Sequence, residues 1–234
     1  MFQQKNIAIV GASSGIGLAL AQRLQDAGAN LWTYSRRRPQ GLAPQIFWAE
    51  TDVLTPEFEL PELPDQLHGI AYCPGSINLK PFGRISRTDL QREMEINFLG
   101  AFRVLQLAFP KLKAAQGAVV LFSTVAVQTG MPFHSSIAAC KGAVEGLTRA
   151  LAAEWAPTVR VNAIAPSLTD TPLAAALLSN DEKRQNAAAR HPLKIVGTPE
   201  QLASLAAYLL SEHAAFVTGQ IIHADGGIGS LKTS

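Results

Sequence analysis

The sequence predicts an α/β fold in which a doubly wound parallel sheet carries helices on both faces. Short apolar segments of strand length alternate with longer Ala-rich segments of helical spacing, a glycine-rich turn follows the first apolar segment, and no change in composition divides the chain. We therefore expect one domain over residues 1–234. The 47% apolar content is sufficient for a substantial buried core.

The predicted strands are short apolar segments bounded by turn-forming residues. In chain order they are NIAIVG, LWTYS, GIAYC, AVVLFS, VRVNAIAP and QIIHAD. Stretches of helical length separate them along the chain. Because strands joined by such crossovers run parallel, the alternation predicts a parallel sheet.

The predicted helices have apolar residues at helical spacing, in the segments LALAQRLQDAG, LQREMEINFLGAFRVLQLAFPKL and AACKGAVEGLTRALAAEWA. Gly28 is expected to end the first helix, and a further helix should begin near Pro199. The segment TPEFELPELP, residues 55–64, is interpreted as an acidic surface connector. Residues 172–200 form a long excursion after the strand that ends near Ala165, and we expect them to serve as a substrate lid.

Charge and composition point to small-molecule ligands. The chain has 20 Lys and Arg against 18 Asp and Glu, and the net charge of +2 is too small to favour nucleic acid or an anionic membrane. Cys73 and Cys140 are far apart and lack ligand spacing, so neither a disulfide framework nor a metal site is expected. The chain shows no secretory signal and no run of roughly 18 apolar residues, which predicts a cytoplasmic protein.

The turn after the first strand is predicted to bind phosphate. In IAIVGASSGIG, an apolar strand leads directly into Gly11, Gly15 and Gly17, and a helix follows them. Glycines allow the backbone to approach a pyrophosphate closely, and the helix N-terminus offers free N–H groups and the positive end of the helix dipole. The alternative is a purely structural strand-to-helix bend, which the strand-turn-helix context disfavours.

The end of the second strand predicts a preference for NADP(H). Cofactor sites that bind NAD usually place an acidic residue here for the ribose hydroxyls, whereas a 2′-phosphate is bound by arginine. The sequence YSRRRP provides Ser35, Arg36 and Arg37 and no acidic residue. The alternative interpretation is a solvated basic turn.

Together these motifs resemble the short-chain dehydrogenase/reductase family along nearly the whole chain. The family's motifs occur in order: GASSGIG, with Val10 where threonine is usual; TDV at 51–53; VRVNAIAPSLTDTPL, with Ser167 in place of glycine; and FVTGQIIHADGG at the last strand. The resemblance implies a Rossmann-type fold that binds a nicotinamide cofactor. It also implies an oligomer, because family members commonly pair their long helices and last strands.

The resemblance further implies which residues contact the cofactor. Asp52 and Val53 match the pair that brackets the adenine, and Gly75 is the one residue of YCPG that keeps the family's pattern. Thr169 and Thr171 match positions that receive the nicotinamide carboxamide. The turn, the basic segment and the resemblance together predict this cofactor-binding set: Gly11, Ser13, Ser14, Gly15, Ile16, Gly17, Ser35, Arg36, Arg37, Asp52, Val53, Gly75, Asn97, Lys141, Pro166, Thr169 and Thr171.

The catalytic group departs from the family. Lys141 is kept, Asn97 matches an asparagine that supports a water relay to that lysine, and Thr124 stands at the position of a serine that steadies the substrate carbonyl. Thr124 could instead satisfy only its own backbone. The position of the family's proton-donating tyrosine is Ile137, which has no donor or acceptor. A positioned general acid contributes about a hundred- to ten-thousand-fold in rate, so its loss weakens the enzyme hypothesis without excluding it.

His134 is the replacement donor that spacing suggests. It precedes Lys141 by seven residues, two helical turns, so both should lie on one helix face. The segment MPFHSSIAACK resembles the Tyr-x6-Lys arrangement of enoyl thioester reductases, with His134 at their tyrosine. The alternatives are a relayed water as donor and a loop histidine without a catalytic role. Ser136 and Cys140 are out of step with the lysine face.

The sequence therefore predicts an NADP(H)-dependent oxidoreductase that transfers hydride to or from a carbonyl or a conjugated enone or enoyl substrate. Its predicted catalytic residues are Lys141, Asn97, Thr124 and His134, and no metal is expected. The alternative is an NADP(H)-binding sensor or scaffold with weak or no turnover. We expect a small-molecule substrate and a homo-oligomer that uses the helices near 101–115 and 141–156.

Overall fold

A seven-stranded parallel sheet forms the centre of the computed structural model, which describes residues 2–232. The strands are β1 Asn6–Val10, β2 Asn30–Ser35, β3 Phe47–Glu50, β4 Gly69–Tyr72, β5 Ala118–Phe122, β6 Arg160–Pro166 and β7 Ile221–Ala224. Their order in the sheet is β3-β2-β1-β4-β5-β6-β7, and every pair is parallel. This confirms the predicted fold class.

Helices cover both faces of the sheet. They are α1 Gly15–Asp26, α2 Arg87–Met94, α3 Gly100–Ala115, α4 Ser135–Trp155, α5 Asp181–Ala189 and α6 Pro199–Leu210. On one face, α1 and α6 bury Leu20, Leu24 and Leu209 against the sheet. On the other face, α3 and α4 bury apolar residues that include Leu105 and Trp155. Because both faces are covered, the central strands are buried throughout, as parallel sheets require.

The helix ends follow the sequence signals. Gly28 adopts φ +83° just beyond the end of α1, where the left-handed conformation favours glycine. At the start of α6, Thr198 and Gln201 form a reciprocal capping box. The predicted long helix from Leu90 onwards is continuous through α2 and α3, but a π-helical turn, Glu95–Leu99, joins the two. Such turns often accompany functional residues, and this one contains Asn97.

Two expectations about the connection between β2 and β4 need correction. The six predicted strands are all present, but β3 was missed because its four residues, FWAE, form a short edge strand paired only with β2. The 55–64 segment is not wholly a surface connector. Its acidic residues are exposed, whereas Phe58, Leu60 and Leu63 are buried against α3 in the core.

Residues 172–200 form a small subdomain beside the carboxyl ends of the strands. A 3₁₀ helix, Pro172–Leu178, and α5 pack together through Ala174, Leu178 and Ala187. A bridge between Thr169 and Gly197 closes the excursion. The lid role of this segment remains a prediction. Among residues 2–232, no helix combines the length and the apolar character that a membrane span needs.

Candidate active site

The carboxyl ends of β1 and β4 form a crevice, because the chain leaves β1 towards one edge of the sheet and returns through β4 on the other side. The glycine-rich turn lies at this switch point. Gly11 and Gly15 have φ of +84° and +54°, and a Cβ at Gly17 would collide with the carbonyl oxygen of Gly11. At these glycines no side chain covers the backbone where α1 begins, which fits a pyrophosphate held at a helix N-terminus.

A cavity of about 230 Å³ opens over this turn. It brings together most of the predicted cofactor-binding residues of the amino-terminal half of the chain. They are Gly11, Ser13, Ser14, Gly15, Ile16, Gly17, Ser35, Arg36, Asp52, Val53 and Gly75, and Thr171 joins them from the carboxyl-terminal half. Arg37 does not line this cavity.

The basic segment after β2 separates into residues with different roles. The Ser35 hydroxyl donates to the Arg37 carbonyl over 2.8 Å and accepts a hydrogen bond from Trp48 Nε1 at 3.2 Å, so it is committed to the fold. Arg36 is exposed and lines the cavity, and no hydrogen bond or ion pair within the described residues engages its guanidinium. Arg37 is exposed outside the cavity, so Arg36 is the one of the two predicted arginines that lines it.

Asp52 and Val53 line the same cavity beyond β3. The Asp52 carboxylate accepts a hydrogen bond from the Leu54 backbone over 3.0 Å, which fixes the turn that carries both residues. The adenine contact of this pair stays a prediction.

A second cavity, of about 320 Å³, adjoins the first and shares Ile16, Cys73, Pro74, Gly75, Thr171 and Leu173 with it. It contains all four predicted catalytic residues and, apart from Arg37, the predicted cofactor residues that the first cavity lacks. They are Asn97, Thr124, His134, Lys141, Pro166 and Thr169. Ile137, at the position of the family's tyrosine, lies in the same wall.

Lys141 is withdrawn from solvent beside Gly75 and Asn97. Its exposed fraction is 7%, and this burial lowers the pKa of its ammonium to about 8. A methyl group at Gly75 would lie 3.4 Å from Asn97 Oδ1 and 3.9 Å from Lys141 Nζ, so glycine keeps that space open. The Asn97 amide donates to Ser76 Oγ and to the Glu93 carbonyl, and it accepts from the Ser76 backbone, which anchors the π-helical turn.

The candidate donors differ in how they are held. Thr124 Oγ1 accepts a hydrogen bond from the Ala126 backbone at 3.3 Å, which is the backbone bond that the alternative interpretation expects, and Thr124 also lines the cavity. His134 lies directly before α4, so the spacing to Lys141 is helical and both residues line one cavity. Its Nδ1 is 2.7 Å from the Pro132 carbonyl oxygen.

No phenol replaces the missing one. The chain has three tyrosines, and none of them lines the second cavity. Tyr72 donates its hydroxyl to the Ile96 carbonyl over 2.6 Å, and burial raises its pKa. Tyr34 donates to the Pro61 carbonyl over 2.9 Å. Desolvation raises the pKa of Cys73 to about 12 and that of Cys140 to about 11, so both are neutral thiols at pH 7.

Much of the second cavity's wall is apolar, with side chains from the loops after β4, β5, β6 and β7 and from the 172–200 segment. Among them are Ile77, Leu79, Met131, Leu168, Leu177 and Ile228. No carboxylate lines it, and within residues 2–232 no group of three or more His, Cys, Asp or Glu side chains could hold a metal ion. The cavity therefore suits an apolar molecule with few polar groups.

Several polar residues of this cavity lay outside the predicted site, and two of them form a pair. Ser167 and His191 hydrogen-bond to each other over 2.8 Å, and both line the wall. They are 24 residues apart, on opposite sides of α5, so no local spacing connects them. The one signal available in the sequence is Ser167 itself, which stands where the resembled family has glycine.

Comparisons with known proteins agree with this geometry. A family model described as enoyl-(acyl carrier protein) reductase matches residues 61–229. A tropinone reductase homolog of Arabidopsis thaliana is 33% identical over 97% of this chain and 93% of its own length. The 3-oxoacyl-[acyl-carrier-protein] reductase of Aquifex aeolicus is 31% identical over 97% of this chain and 98% of its own. Among solved structures, the ligand-free aldohexose dehydrogenase of Thermoplasma acidophilum has a TM-score of 0.87 at 27% identity, covering 99% of this chain and 98% of that chain.

Proposed function

The chain belongs to the short-chain dehydrogenase/reductase family of oxidoreductases, and from that premise we propose that it transfers hydride between NADP(H) and a carbonyl or conjugated enone or enoyl substrate, with an atypical proton donor. The observation that carries the proposal is the continuity of the two cavities. A phosphate-binding turn opens directly into an apolar cavity that contains a buried lysine.

The glycine turn and Arg36 support the choice of cofactor. Gly11, Gly15 and Gly17 leave the space that a pyrophosphate needs, and a Cβ at Gly17 would close it. Arg36 offers an unpaired guanidinium at the end of β2, where a 2′-phosphate is bound in NADP-preferring folds. When bound, the cofactor supplies the hydride chemistry.

The residues around Lys141 would hold the reactive end of the cofactor. Lys141 and Asn97 lie together beside Gly75, where an ammonium donates to ribose hydroxyls. Thr169 and Thr171 line the same cavity and are proposed to receive the carboxamide. Thr124 faces the same space and is proposed to receive the substrate oxygen.

The substrate class follows from the apolar wall and the missing phenol. A conjugated C=C accepts hydride at a carbon whose charge spreads to a distant oxygen, which tolerates an acid in an unusual place. His134 or a relayed water is the source of the proton in this proposal. The family model described as enoyl-(acyl carrier protein) reductase and the relative described as 3-oxoacyl-[acyl-carrier-protein] reductase support conjugated and simple carbonyl substrates alike.

Fluorescence titration with NADPH and NADH tests the cofactor choice. Arg36→Ala removes a charge-assisted contact worth about 1.5–3 kcal/mol, so its Kd for NADPH should rise about tenfold to a hundredfold while that for NADH stays unchanged. Arg37→Ala is the matched control, because Arg37 lies outside the cavity. Equal weakening of both cofactors by Arg36→Ala would contradict the 2′-phosphate contact.

A panel of enones, enoyl thioesters, ketones and aldehydes tests turnover. Consumption of NADPH with any member supports the oxidoreductase, and His134→Ala then tests that donor by its loss of rate. The second candidate function is an NADP(H)-binding sensor or scaffold, which the buried Ile137 and the lack of a tyrosine in the cavity favour. NADPH binding without consumption across the panel would support that function. If Ile137→Tyr then restored turnover, the absence of the tyrosine would be the cause of the lost activity.

A further inference from the structure

Ser167 and His191 form a hydrogen-bonded pair in the wall of the second cavity. His191 follows α5, and only 2% of its surface is exposed. Its Nε2 is 2.8 Å from Ser167 Oγ, and its Nδ1 is 2.8 Å from the carbonyl oxygen of Ala187. Gly226 packs against the ring, since a Cβ there would lie 3.2 Å from Cδ2.

The Ala187 carbonyl fixes the proton on His191. A carbonyl oxygen only accepts, so Nδ1 must carry the hydrogen that lies between them. In a neutral imidazole this leaves Nε2 as an acceptor, and Ser167 therefore donates its hydroxyl proton to Nε2. The lone pairs of Ser167 Oγ remain available to a molecule in the cavity.

We propose that Ser167 exchanges a proton with the substrate oxygen in place of the missing phenol, and that His191 is the positioning residue that takes up and returns that proton. This inference rests on the proposed function and deepens it. It assigns a catalytic role to Ser167, which stands where glycine is usual in the family, and it explains why a histidine is buried behind it.

Ser167 and His191 can carry the proton in either direction of the reaction. In alcohol oxidation, the substrate O–H bond breaks as its proton passes to Ser167 Oγ, the Ser167 proton passes to His191 Nε2, and hydride leaves the substrate carbon for the oxidised cofactor. The products are a carbonyl and an imidazolium. In reduction, the imidazolium protonates Ser167 as Ser167 protonates the substrate oxygen, and hydride from the reduced cofactor enters the carbon.

Two other polar residues of this cavity, Thr124 and His134, are less suited to this role. Among the described residues, the hydroxyl of Thr124 has one hydrogen-bond partner, the Ala126 backbone, and no titratable one. His134 is partly exposed, and within residues 2–232 the one partner of its ring is the Pro132 carbonyl, at Nδ1. His191 is held at both nitrogens and buried, so its ring and Ser167 are preorganised.

Spectroscopy of the cofactor-free protein tests the pair without any turnover. In a long-range ¹H–¹⁵N spectrum, with His191→Gln to assign the resonance, we expect the neutral tautomer of His191 protonated at Nδ1. Ser167→Ala should shift the Nε2 resonance because its hydrogen bond is lost. A tautomer protonated at Nε2, or an Nε2 resonance that Ser167→Ala leaves in place, would overturn the proposal.

Steady-state kinetics test the proton transfer. Ser167→Ala and His191→Gln should each lower kcat by about a hundredfold or more, with changes in KM and in the NADPH Kd below about threefold. Glutamine offers an acceptor near the position of Nε2 but does not bind a proton, so a merely structural His191 would be rescued by it. Ser167→Thr keeps the hydroxyl and should retain most of kcat.

The outcomes separate this inference from the proposed function. If the wild type consumes NADPH and both Ser167→Ala and His191→Gln keep kcat within about threefold, the pair is not the donor and the oxidoreductase stands. If His134→Ala alone causes the loss, the inference is overturned in favour of His134. If the wild type binds NADPH but consumes none with any substrate, the proposed function fails, and the role of Ser167 fails with it.

Discussion

Lys141 is an ammonium group withdrawn from water, and no carboxylate within the described residues forms an ion pair with it. Burial disfavours its charged form, which is why its pKa falls to about 8. The folded protein therefore binds fewer protons at this site than the unfolded chain between about pH 8 and the ordinary lysine value. A group placed in this way costs stability.

The desolvation cost of Lys141 should depend on pH. Below about pH 8 the side chain is charged in both the folded and the unfolded protein, so the folded state bears the full desolvation penalty. As the pH rises towards 10.5, the unfolded chain also loses this proton and the penalty disappears. Cofactor-free Lys141→Met should be more stable than the wild type at pH 7, by on the order of 3 kcal/mol, and the gap should shrink towards pH 10. Urea unfolding at both pH values measures this. A gap that does not change with pH would show that Lys141 keeps its ordinary pKa.

The glycine-rich turn between β1 and α1 affects both helix packing and the shape of the first cavity. A Cβ at Gly17 would collide with the Gly11 carbonyl and lie 3.1 Å from Cys73 Cβ. Gly17 thus lets α1 approach both β1 and the loop after β4. This close approach shapes the cavity over the turn, so packing and cofactor binding depend on the same missing side chain.

Gly17→Ala should therefore lower both stability and affinity. Moving α1 outward is expected to cost about 1–3 kcal/mol in the free energy of unfolding and to weaken NADPH binding. Gly142→Ala, inside α4, is the matched control, because its Cβ would meet only Val127 at 3.8 Å. That change should stabilise the protein by about 0.5–1 kcal/mol. Urea denaturation and fluorescence titration of both variants measure the effects, and similar changes in the two would contradict this role for Gly17.

The exposed surface of α3 and α4 is where we expect two copies of the chain to associate. Phe102 and Leu107 are large apolar residues exposed on α3, and Ala150 is exposed on α4. Small and apolar side chains of this kind allow helices of two copies to pack closely. The homo-oligomer remains a prediction, and this layer is where we expect its contact.

Sedimentation velocity tests that expectation. The wild type should sediment as a dimer or tetramer at micromolar concentration, and Leu107→Asp should shift the population towards monomer, because a buried carboxylate without a partner is costly. Leu90→Asp, on the exposed face of α2, is the control and should leave the mass unchanged. A monomeric wild type would contradict the predicted assembly.

Local patterns account for the parts of the molecule that were predicted correctly. The spacing of Gly11, Gly15 and Gly17 and the alternation of strand and helix segments depend on neighbours in the chain, so the sheet and the glycine turn follow from them. The strand β3 escaped prediction because four residues at a sheet edge carry too little periodicity. The expectation of a surface connector fails for Phe58, Leu60 and Leu63, because the acidic residues and prolines around them mask their apolar pattern in the sequence.

The amino-acid order was enough to define the fold class and the glycine-rich turn, because strand and helix periodicity and the spacing of the turn are local patterns. The three-dimensional packing alone separated Arg36 from Arg37 and placed a hydroxyl from residue 167 against an imidazole from residue 191. Contacts between residues far apart in the chain depend on how the sheet and its loops pack. That packing leaves no periodic signal in the sequence.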